Sequence, residues 1–382
     1  MISGHPFVAD SGLAENLSIQ WLRIPQLPFD SFSPWDKGVA GPVAGAHGDY
    51  LMVAGGSDFL DNPPWKGGIK RYHSQVYLLG FSGKERIAWK KIPEQLPLPM
   101  AYSACVSTAE GIISIGGETG QGPVSNVFLH AIQEGQLRTT PWPDIPESLT
   151  SPAATISGDS VYVAGGQNGQ GASRLFACLS RKEPGKGWNI LPPLPEPLSH
   201  AILANQWDGS ENCLYLLGGR NKTSDVHTFS SSVWKYTPSA GKWDKAGDLT
   251  CDERPFPLSA GAGIARGNHQ IVIIGGDPGI FFNKTERLNN RLAENLPDNQ
   301  HKALLNEKYK LLAQHPGFSP AILLFDTLTG NCEKIGNIAG DSPVTTPAFM
   351  WHDTVIIPSG EIKPGARTPQ VLAFRMNKNQ RN

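Results

Sequence analysis

Short apolar segments that end in a pair of small residues recur along the chain. Five of them, YLMVA, GIISI, SVYVA, CLYLL and QIVII, are almost continuously apolar and run directly into a Gly-Gly pair. A sixth segment ends differently, as IIPSG at Gly360. Strands of this kind need cover on both faces, and a ring of neighbouring sheets supplies it while leaving only short edges. The pattern therefore predicts an all-β fold of six repeated units.

The spacing of the glycine pairs predicts the architecture of each unit. Successive pairs lie 61, 49, 53 and 57 residues apart, and the last step is 84 residues. Kelch-type propeller blades repeat at roughly 50 residues. The fourth unit is read as four short strands, AILANQ, CLYLLGG, SVWKYTP and KWDKAG, with turn-rich segments between them. We therefore predict a six-bladed kelch-type β-propeller that occupies residues 1–382 as a single domain.

The two ends of the chain are predicted to close the ring together. The last unit runs out of chain after VLAFRM and lacks a fourth strand. A tryptophan marks the outer strand of several other units, and the segment 19–25, which precedes the first unit, carries Trp21. This N-terminal segment is therefore predicted to supply the outer strand of the sixth blade.

The long step before the sixth unit contains a predicted helical insertion in the fifth blade. From about residue 283 to residue 315 the chain loses its strand pattern and gains helix formers, with leucines at helical spacing. His315-Pro316-Gly317 is a stop signal for a helix. Either the insertion covers a functional site, as long excursions at loops often do, or it is a helical pair that packs against the blades.

Composition narrows the possible functions. The formal net charge of −1 gives no electrostatic case for binding nucleic acid or an anionic membrane. The ten histidines show no metal-ligand spacing, so neither a metal nor another cofactor is expected. The first 18 residues lack the features of a signal peptide, and the five cysteines are scattered. The chain as written is expected in the cytoplasm, or in the periplasm if a signal peptide has been removed. Its oligomeric state is left open.

Polar residues that follow the glycine pairs form the candidate site, because loops from all blades converge at one end of a propeller channel. The candidates are Ser57, Asp58, Glu118, Gln167, Asn168, Arg220, Asn221, Asp277, Glu361, Lys363 and Arg367. A carboxylate such as Glu361 can transfer protons, and a guanidinium such as Arg367 can bind a carboxylate with two parallel hydrogen bonds. The same two residues are also compatible with a surface ion pair. Tyr102 could reach the channel, although core packing suits it better.

The sequence SGEIKPGARTPQVLAF closely resembles a signature of the kelch-type N-acetylneuraminate epimerases, also called sialic acid mutarotases. That signature reads Gly-Glu-Ala-Lys-Pro-Gly-x-Arg-Thr. The segments GVAGPVAGAHGDYLMVAGGSDF and AYSACVSTAEGIISIGGETGQG are similar to two further blades of the family. Those blades lie near the C terminus of the better-known members and come first here, so the chain resembles a cyclically permuted branch. A closed ring permits this order, since its termini lie close together.

The resemblance implies an isomerase that interconverts the α and β anomers of N-acetylneuraminate by general acid–base ring opening, without a cofactor. By position, Glu361 matches the catalytic carboxylate of the family and Arg367 its substrate-binding arginine. Lys363, Glu118, Asp277 and Arg220 are predicted to contact the same sugar acid. Met100 and the segment 197–199 replace two family arginines, which leaves the exact sugar acid open. The alternative is a non-catalytic kelch propeller that binds a glycan or a protein partner.

Overall fold

Six four-stranded antiparallel sheets form the blades of a β-propeller. The computed structural model describes residues 17–29, 37–80, 88–222 and 226–378. From the inner to the outer strand, the blades comprise Val43–His47, Tyr50–Ala54, Gln75–Gly80 and Lys90–Gln95 in blade 1; Ala104–Ser107, Ile112–Ile115, Val127–Gln133 and Gln136–Trp142 in blade 2; Ala153–Ser157, Ser160–Ala164, Phe176–Ser180 and Asn189–Ile190 in blade 3; Ile202–Trp207, Asn212–Leu217, Ser232–Thr237 and Lys242–Asp248 in blade 4; Ala262–Arg266, Gln270–Ile274, Ala321–Asp326 and Cys332–Asn337 in blade 5; and Phe349–Trp351, Thr354–Pro358, Val371–Lys378 and Leu17–Leu22 in blade 6. The predicted six-bladed fold is confirmed.

The outer strand of blade 6 comes from the N-terminal part of the chain, as predicted. Leu17–Leu22 pairs antiparallel with Val371–Lys378, in a register that places Leu22 opposite Ala373. Ser359, which replaces the first glycine of the pair in this blade, is fully buried. Its hydroxyl accepts a hydrogen bond from the Val39 N–H at 2.9 Å and donates one to the Thr368 carbonyl at 2.6 Å. The hydroxyl therefore ties blade 6 to the segment that enters blade 1.

A closed ring of six backbone hydrogen bonds surrounds the central channel. A residue ahead of each inner strand donates its N–H to the carbonyl of its counterpart in the preceding blade, over 2.6–3.1 Å. All six have φ between +52° and +64°, a conformation that costs non-glycine residues energy. The ring is therefore held in place by its own hydrogen bonds. We call these six residues the channel ring: Gly41, Tyr102, Ser151, His200, Ala260 and Thr345.

Neighbouring blades are joined by apolar packing and by tryptophan hydrogen bonds. Six clusters of buried apolar side chains occur in the described residues, each between two adjacent blades. On three outer edges an indole N–H donates to a proline carbonyl of the preceding blade. The pairs are Trp89 with Pro25, Trp188 with Pro143 and Trp243 with Pro192. The tryptophans that mark the repeat in the sequence thus link one blade to the next.

Small hairpins follow the second strand of every blade except blade 5. They are Ser57–Leu60 with Ile69–Tyr72, Glu118–Thr119 with Gly122–Pro123, Gln167–Asn168 with Gly171–Ala172, Arg220–Lys222 with His227–Phe229, and Glu361–Lys363 with Ala366–Arg367. A further hairpin, Thr250–Cys251 with Arg254–Pro255, precedes blade 5, and short 3-10 turns lie at Pro64–Lys66 and Pro184–Lys186.

Two helices replace this hairpin in blade 5, which confirms the predicted insertion. Helix α1 is Ile280–Leu292 and helix α2 is Asp298–Ala313, so the insertion begins three residues earlier than predicted. The His227 N–H donates to the Asn283 Oδ1 at 3.1 Å, and the Asn283 amide donates back to the His227 carbonyl at 2.9 Å. This reciprocal pair fastens α1 to blade 4. None of the helices in the described residues has the length and apolar character needed to traverse a lipid bilayer.

Candidate active site

The residues that directly follow the Gly-Gly and Ser-Gly pairs occupy one equivalent position around the channel. Each forms an isolated β-bridge with the residue immediately before a member of the channel ring. The six residues are Ser57, Glu118, Gln167, Arg220, Asp277 and Glu361. The local backbone is thus the same in every blade, and only the side chain changes. The structure brings the predicted turns together at one end of the channel.

A cavity of about 500 Å³ lies at this end of the channel. Arg220, Asp277, Glu361 and three channel-ring residues contribute to its floor, whereas both helices of the insertion contribute to its roof. The remaining wall comes from the blade 1 and blade 6 hairpins. Besides the floor residues, the whole cavity is lined by residues that include Phe59, Trp65, Lys70, Phe281, Phe282, Glu286, Lys308, Leu312, His315, Phe318 and Arg367. Both helices of the insertion therefore line the cavity, as the first of the two predicted roles requires.

Glu361 and Arg367 face each other across the blade 6 hairpin. They are register partners, and the Arg367 Nη1 lies 3.7 Å from the Glu361 Oε1. The Gly365 N–H also donates to Oε1 at 2.8 Å. Gly365 has φ of +75°, and a Cβ there would lie 2.7 Å from the Pro64 Cδ, so glycine is required by both conformation and space. One carboxylate oxygen is fixed by the turn, and within the described residues Oε2 makes no hydrogen bond.

Arg367 is almost completely removed from solvent. Its side chain is 2% exposed, and its Cζ lies 4.6 Å from the centre of the Phe59 ring. Its Nε and Nη1 are buried and have no hydrogen-bond partner in the described residues. Buried polar groups in proteins are nearly always hydrogen-bonded. The free N–H groups therefore suit a ligand acceptor that enters the cavity.

Arg220 forms a second guanidinium on the cavity floor. Its Nη2 donates to the His200 Nε2 at 3.2 Å, and its Cζ lies 4.6 Å from the centre of the Phe282 ring. Burial, with added repulsion from Arg220, holds the pKa of His200 well below its ordinary value. The imidazole is therefore neutral at pH 7, and its Nε2 is an acceptor. Its Nδ1 lies 3.0 Å from the Ser199 Oγ, to which it donates.

Asp277 supplies a second carboxyl group to the cavity beside Glu361. Burial raises its pKa, and the charge of Glu361 raises it further. The Gly279 N–H, which donates to Oδ1 at 2.8 Å, and the charge of Arg220 act in the opposite direction, but the net pKa stays above the ordinary value. Asp277 therefore keeps its proton to a higher pH than an exposed aspartate does. Two carboxyl groups with different environments in one site suit opposite roles in proton transfer.

Glu118 lies beside the cavity and does not line it. It accepts hydrogen bonds from the Lys70 ammonium and, at 2.7 Å, from the Tyr72 hydroxyl. Burial opposes its ionisation, but the charge of Lys70 and these hydrogen bonds hold its pKa below the ordinary value. Lys70 in turn lies 4.5 Å from the centre of the Tyr102 ring. Glu118 thus fixes a lysine that reaches the cavity.

The remaining predicted contacts lie elsewhere. Lys363 is exposed and is not among the residues that line the cavity. Met100, which stands where the family has an arginine, is fully buried in the apolar cluster between blades 1 and 2. Ser199, from the second departure, is also buried, and it donates to the Gln167 Oε1 at 3.1 Å. Met100 and Ser199 therefore lie in the packed interior of the propeller and do not line the cavity.

Several cavity residues were missed at the level of sequence. Tyr102 belongs to the channel ring, lines the cavity, and its hydroxyl lies 2.9 Å from the Ser57 Oγ, so the preference for core packing was wrong. Channel-ring residues lie about fifteen residues before each glycine pair, with His200 the furthest away. That offset is a signal that could have identified Tyr102, and also His200, which lies behind the cavity residue Arg220. Lys70 and Phe59 carry no such signal.

Comparison with known proteins places the chain among sugar-acid epimerases. Residues 142–382 match the family model described as N-acetylneuraminate epimerase. The curated relative from Pasteurella multocida (strain Pm70), named N-acetylneuraminate epimerase, is 25% identical over 240 residues, which cover 63% of this chain and 58% of that protein. A relative of the same name from Brucella melitensis biotype 1 is 24% identical over 244 residues, covering 62% and 59%. The chain spans less than two thirds of the length of these relatives.

A solved structure shares the fold. The structure of YjhT matches with a TM-score of 0.60 at 13% identity and covers 93% of this chain and 99% of that one. At this identity the likeness concerns the fold. The family match begins at residue 142, so both N-terminal segments that resemble family blades lie outside it. The permuted blade order stays a prediction.

Proposed function

The chain belongs to the N-acetylneuraminate epimerase family, and on that premise we propose that it is an isomerase that interconverts the α and β anomers of N-acetylneuraminate. One observation carries the proposal. Glu361 and Arg367 face each other on one hairpin in the wall of a roofed cavity of about 500 Å³, and the arginine has buried N–H groups without partners. A carboxylate beside an anion-binding guanidinium is what the reaction of a sugar acid requires.

The proposed reaction opens the sugar ring at its anomeric carbon. The Glu361 carboxylate accepts the proton of the anomeric hydroxyl, a carbonyl forms at that carbon, and its bond to the ring oxygen breaks. The former ring oxygen is now a hydroxyl group. The carbonyl group then turns, and this hydroxyl attacks its opposite face. Glu361 returns the proton to the carbonyl oxygen as the ring closes. Positioned acid–base groups of this kind contribute about 10²–10⁴-fold to the rate.

The ring oxygen must gain a proton when its bond to carbon breaks, and we assign that donor as Asp277. Its raised pKa favours the protonated form, and it lines the same cavity as Glu361. On ring closure the hydroxyl gives the proton back to Asp277, so both carboxyl groups end the cycle as they began. Two carboxyl groups in different environments can divide the work of proton acceptor and proton donor in this way.

Arg367 is proposed to hold the carboxylate of the sugar acid. Its guanidinium packs against Phe59, which orients the free N–H groups. Phe281 and Phe282, two aromatic residues of the insertion, also line the cavity. Orientation of the substrate relative to Glu361 lowers the entropic part of the barrier.

The test is the decay of one anomer followed by proton NMR. A sialidase releases the α-anomer of N-acetylneuraminate in the tube, and its conversion to the β-anomer is timed with and without the protein. Faster equilibration with the wild-type protein, lost in Glu361→Gln, supports the proposal. An unchanged rate with wild type rejects this substrate. Binding of the sugar acid without turnover, equal in wild type and Glu361→Gln, identifies the non-catalytic propeller instead.

A further inference from the structure

Two guanidinium groups in the cavity share one construction. Arg367 lies against Phe59 and Arg220 against Phe282, in both cases with 4.6 Å between the Cζ and the ring centre. Contact with an aromatic ring restrains a guanidinium and leaves its N–H edge available to an acceptor. The Nε of each arginine is buried and has no hydrogen-bond partner among the described residues. The cavity therefore presents two prepared binding edges.

Arg220 forms no close ion pair in the part of the chain that the structure describes. Within the described residues no carboxylate oxygen lies within 4 Å of it, and its hydrogen bond goes to the neutral His200. Glu286 is paired with Lys222 at 3.7 Å and Glu361 with Arg367. The charges of Asp277, Glu361 and Glu286 favour the charged form of Arg220 from beyond ion-pair distance. Burial nevertheless holds the pKa of Arg220 below its ordinary value, so the charge of this buried guanidinium is incompletely compensated. An anionic group from a ligand would complete the compensation.

His200 orients this second edge. The imidazole accepts from the Arg220 Nη2, its Nδ1 donates to the Ser199 Oγ, and Ser199 donates to the Gln167 Oε1 at 3.1 Å. This chain of hydrogen bonds fixes the orientation of the guanidinium beside the cavity, and Nε is left without a partner among the described residues. His200 is thus a positioning residue.

The two arginines project from blades 4 and 6, with the Asp277 position of blade 5 between them. A ligand with acidic groups at two separated places would satisfy both guanidinium groups and compensate the charge of each. We infer that the cavity takes a sugar acid with two anionic groups, the carboxylate at Arg367 and a second group, a phosphate or another carboxylate, at Arg220. The inference builds on the proposed sugar-acid chemistry and narrows its substrate class.

The experiment compares a singly and a doubly acidic probe by isothermal titration calorimetry. The probes are N-acetylneuraminate and N-acetylneuraminate 9-phosphate, titrated into the full chain. A charged hydrogen-bonded contact is typically worth about tenfold or more in affinity. Wild type should bind the phosphate ester at least about tenfold more tightly, and Arg220→Gln should bring the two dissociation constants to about the same value. Arg220→Lys, which keeps the charge and loses the planar edge, should retain part of the preference.

Two controls separate this effect from general damage. Arg138→Gln makes the same chemical change on an exposed outer strand and should leave both affinities unchanged. Arg367→Gln should weaken both probes and keep the preference. Equal binding of the two probes by wild type overturns the second anionic site, and so does a preference that survives Arg220→Gln. If the protein exchanges the anomers of N-acetylneuraminate but binds both probes equally, only the proposed function is supported. If it prefers the phosphate ester but does not exchange the anomers, only the second anionic site at Arg220 is supported. Binding of neither probe overturns both.

Discussion

The hairpins that follow the second strands of blades 3 and 6 share a place in the fold but differ in their surroundings. In blade 3, Gln167–Asn168 pairs with Gly171–Ala172, and a Cβ added at Gly171 would meet nothing within 4 Å. In blade 6, a Cβ added at Gly365 would lie 2.7 Å from the Pro64 Cδ and 3.3 Å from the Trp65 ring. One hairpin is open to solvent, and the other is pressed against blade 1 beside the cavity.

The difference shows how a repeated backbone acquires one reactive position. The residue after the glycine pair is Gln167 in blade 3 and Glu361 in blade 6, and both form the same bridge. The amide of Gln167 supports its neighbour Ser199, whereas the carboxylate of Glu361 lies against Arg367. The ring supplies six equivalent positions, and packing from the adjacent blade decides which of them holds charge away from water.

The largest expected effect is a loss of anomer exchange when the carboxylate at position 361 is removed, compared with a change at the equivalent position 167. Glu361→Gln should reduce the rate of anomer exchange by about 10²–10⁴-fold, since the proton acceptor is removed, while the melting temperature stays within a few degrees of wild type. Gln167→Glu, which places a carboxylate at the equivalent site of blade 3, should change the rate less than about twofold. NMR exchange rates and thermal melts check both. Equal losses in the two variants would remove the distinction between the blades.

The second prediction uses the pH dependence of Asp277. The Asp277 proton donor is lost as pH rises through its raised pKa, so the rate of anomer exchange should fall over that pH range. Asp277→Asn should lower the rate and remove this fall from the pH profile. The folded state also binds this proton more tightly than the unfolded state, so its contribution to stability falls over the same pH range. Asp277→Asn should therefore raise the melting temperature at pH 7 and not at pH 3. A pH profile identical to wild type would exclude Asp277 as the donor.

The third prediction tests whether the blade 6 hairpin depends on its packing. Gly365→Ala and Gly158→Ala both place a side chain at positive φ, +75° and +56°, but the Cβ at Gly158 meets nothing within 4 Å. Left-handed strain should destabilise each variant by about 1–2 kcal/mol, and the clash with Pro64 should add about 1–3 kcal/mol in Gly365→Ala. Urea unfolding measures the difference. Equal destabilisation of the two variants would mean that Pro64 moves aside for the added side chain at position 365 at little cost in free energy.

The smallest effect concerns the scaffold that the two blades share. Ser151 and Thr345 are their channel-ring residues, with φ of +53° and +52°. Replacement by glycine relieves the left-handed strain, and the relief should be greater for the β-branched threonine. Thr345→Gly should therefore raise the free energy of unfolding by up to about 1 kcal/mol more than Ser151→Gly. Chemical denaturation of both variants provides the measurement, and a reversed order would show that the Thr345 hydroxyl stabilises the ring.

Local signals account for the parts of the molecule that the sequence predicted. Apolar runs, glycine pairs and outer-strand tryptophans repeat with the blades, so they indicated six sheets and the return of the N-terminal strand. Glu361 and Arg367 lie on one hairpin, and their meeting needs only a tight turn. Lys363 was predicted from the same turn, yet it is exposed, because the register shift in this hairpin leaves only Glu361 opposite Arg367.

Contacts between blades account for what the sequence could not predict. Phe59 reaches Arg367 from the opposite end of the chain, and Lys70 reaches Glu118 across a blade boundary. No spacing in the sequence encodes such pairs, since they depend on how two hairpins lean toward each other. His200 is a different case, because its partner Arg220 belongs to the same blade and the channel-ring offset could have identified it.

The channel ring has an electrical consequence. Its six N–H groups all donate in the same direction around a circle, each to the carbonyl behind it. A helix adds its peptide dipoles into two charged ends, but dipoles that follow a closed circle cancel, and the circle has no end at which an N–H or carbonyl is left over. The backbone of the channel ring therefore contributes little net field to the cavity. A bound ligand there experiences mainly the charges of the side chains and the dipoles of the two helices. Substitutions at the six positions after the glycine pairs can therefore change which ligand charge the cavity prefers without disturbing the backbone beneath them.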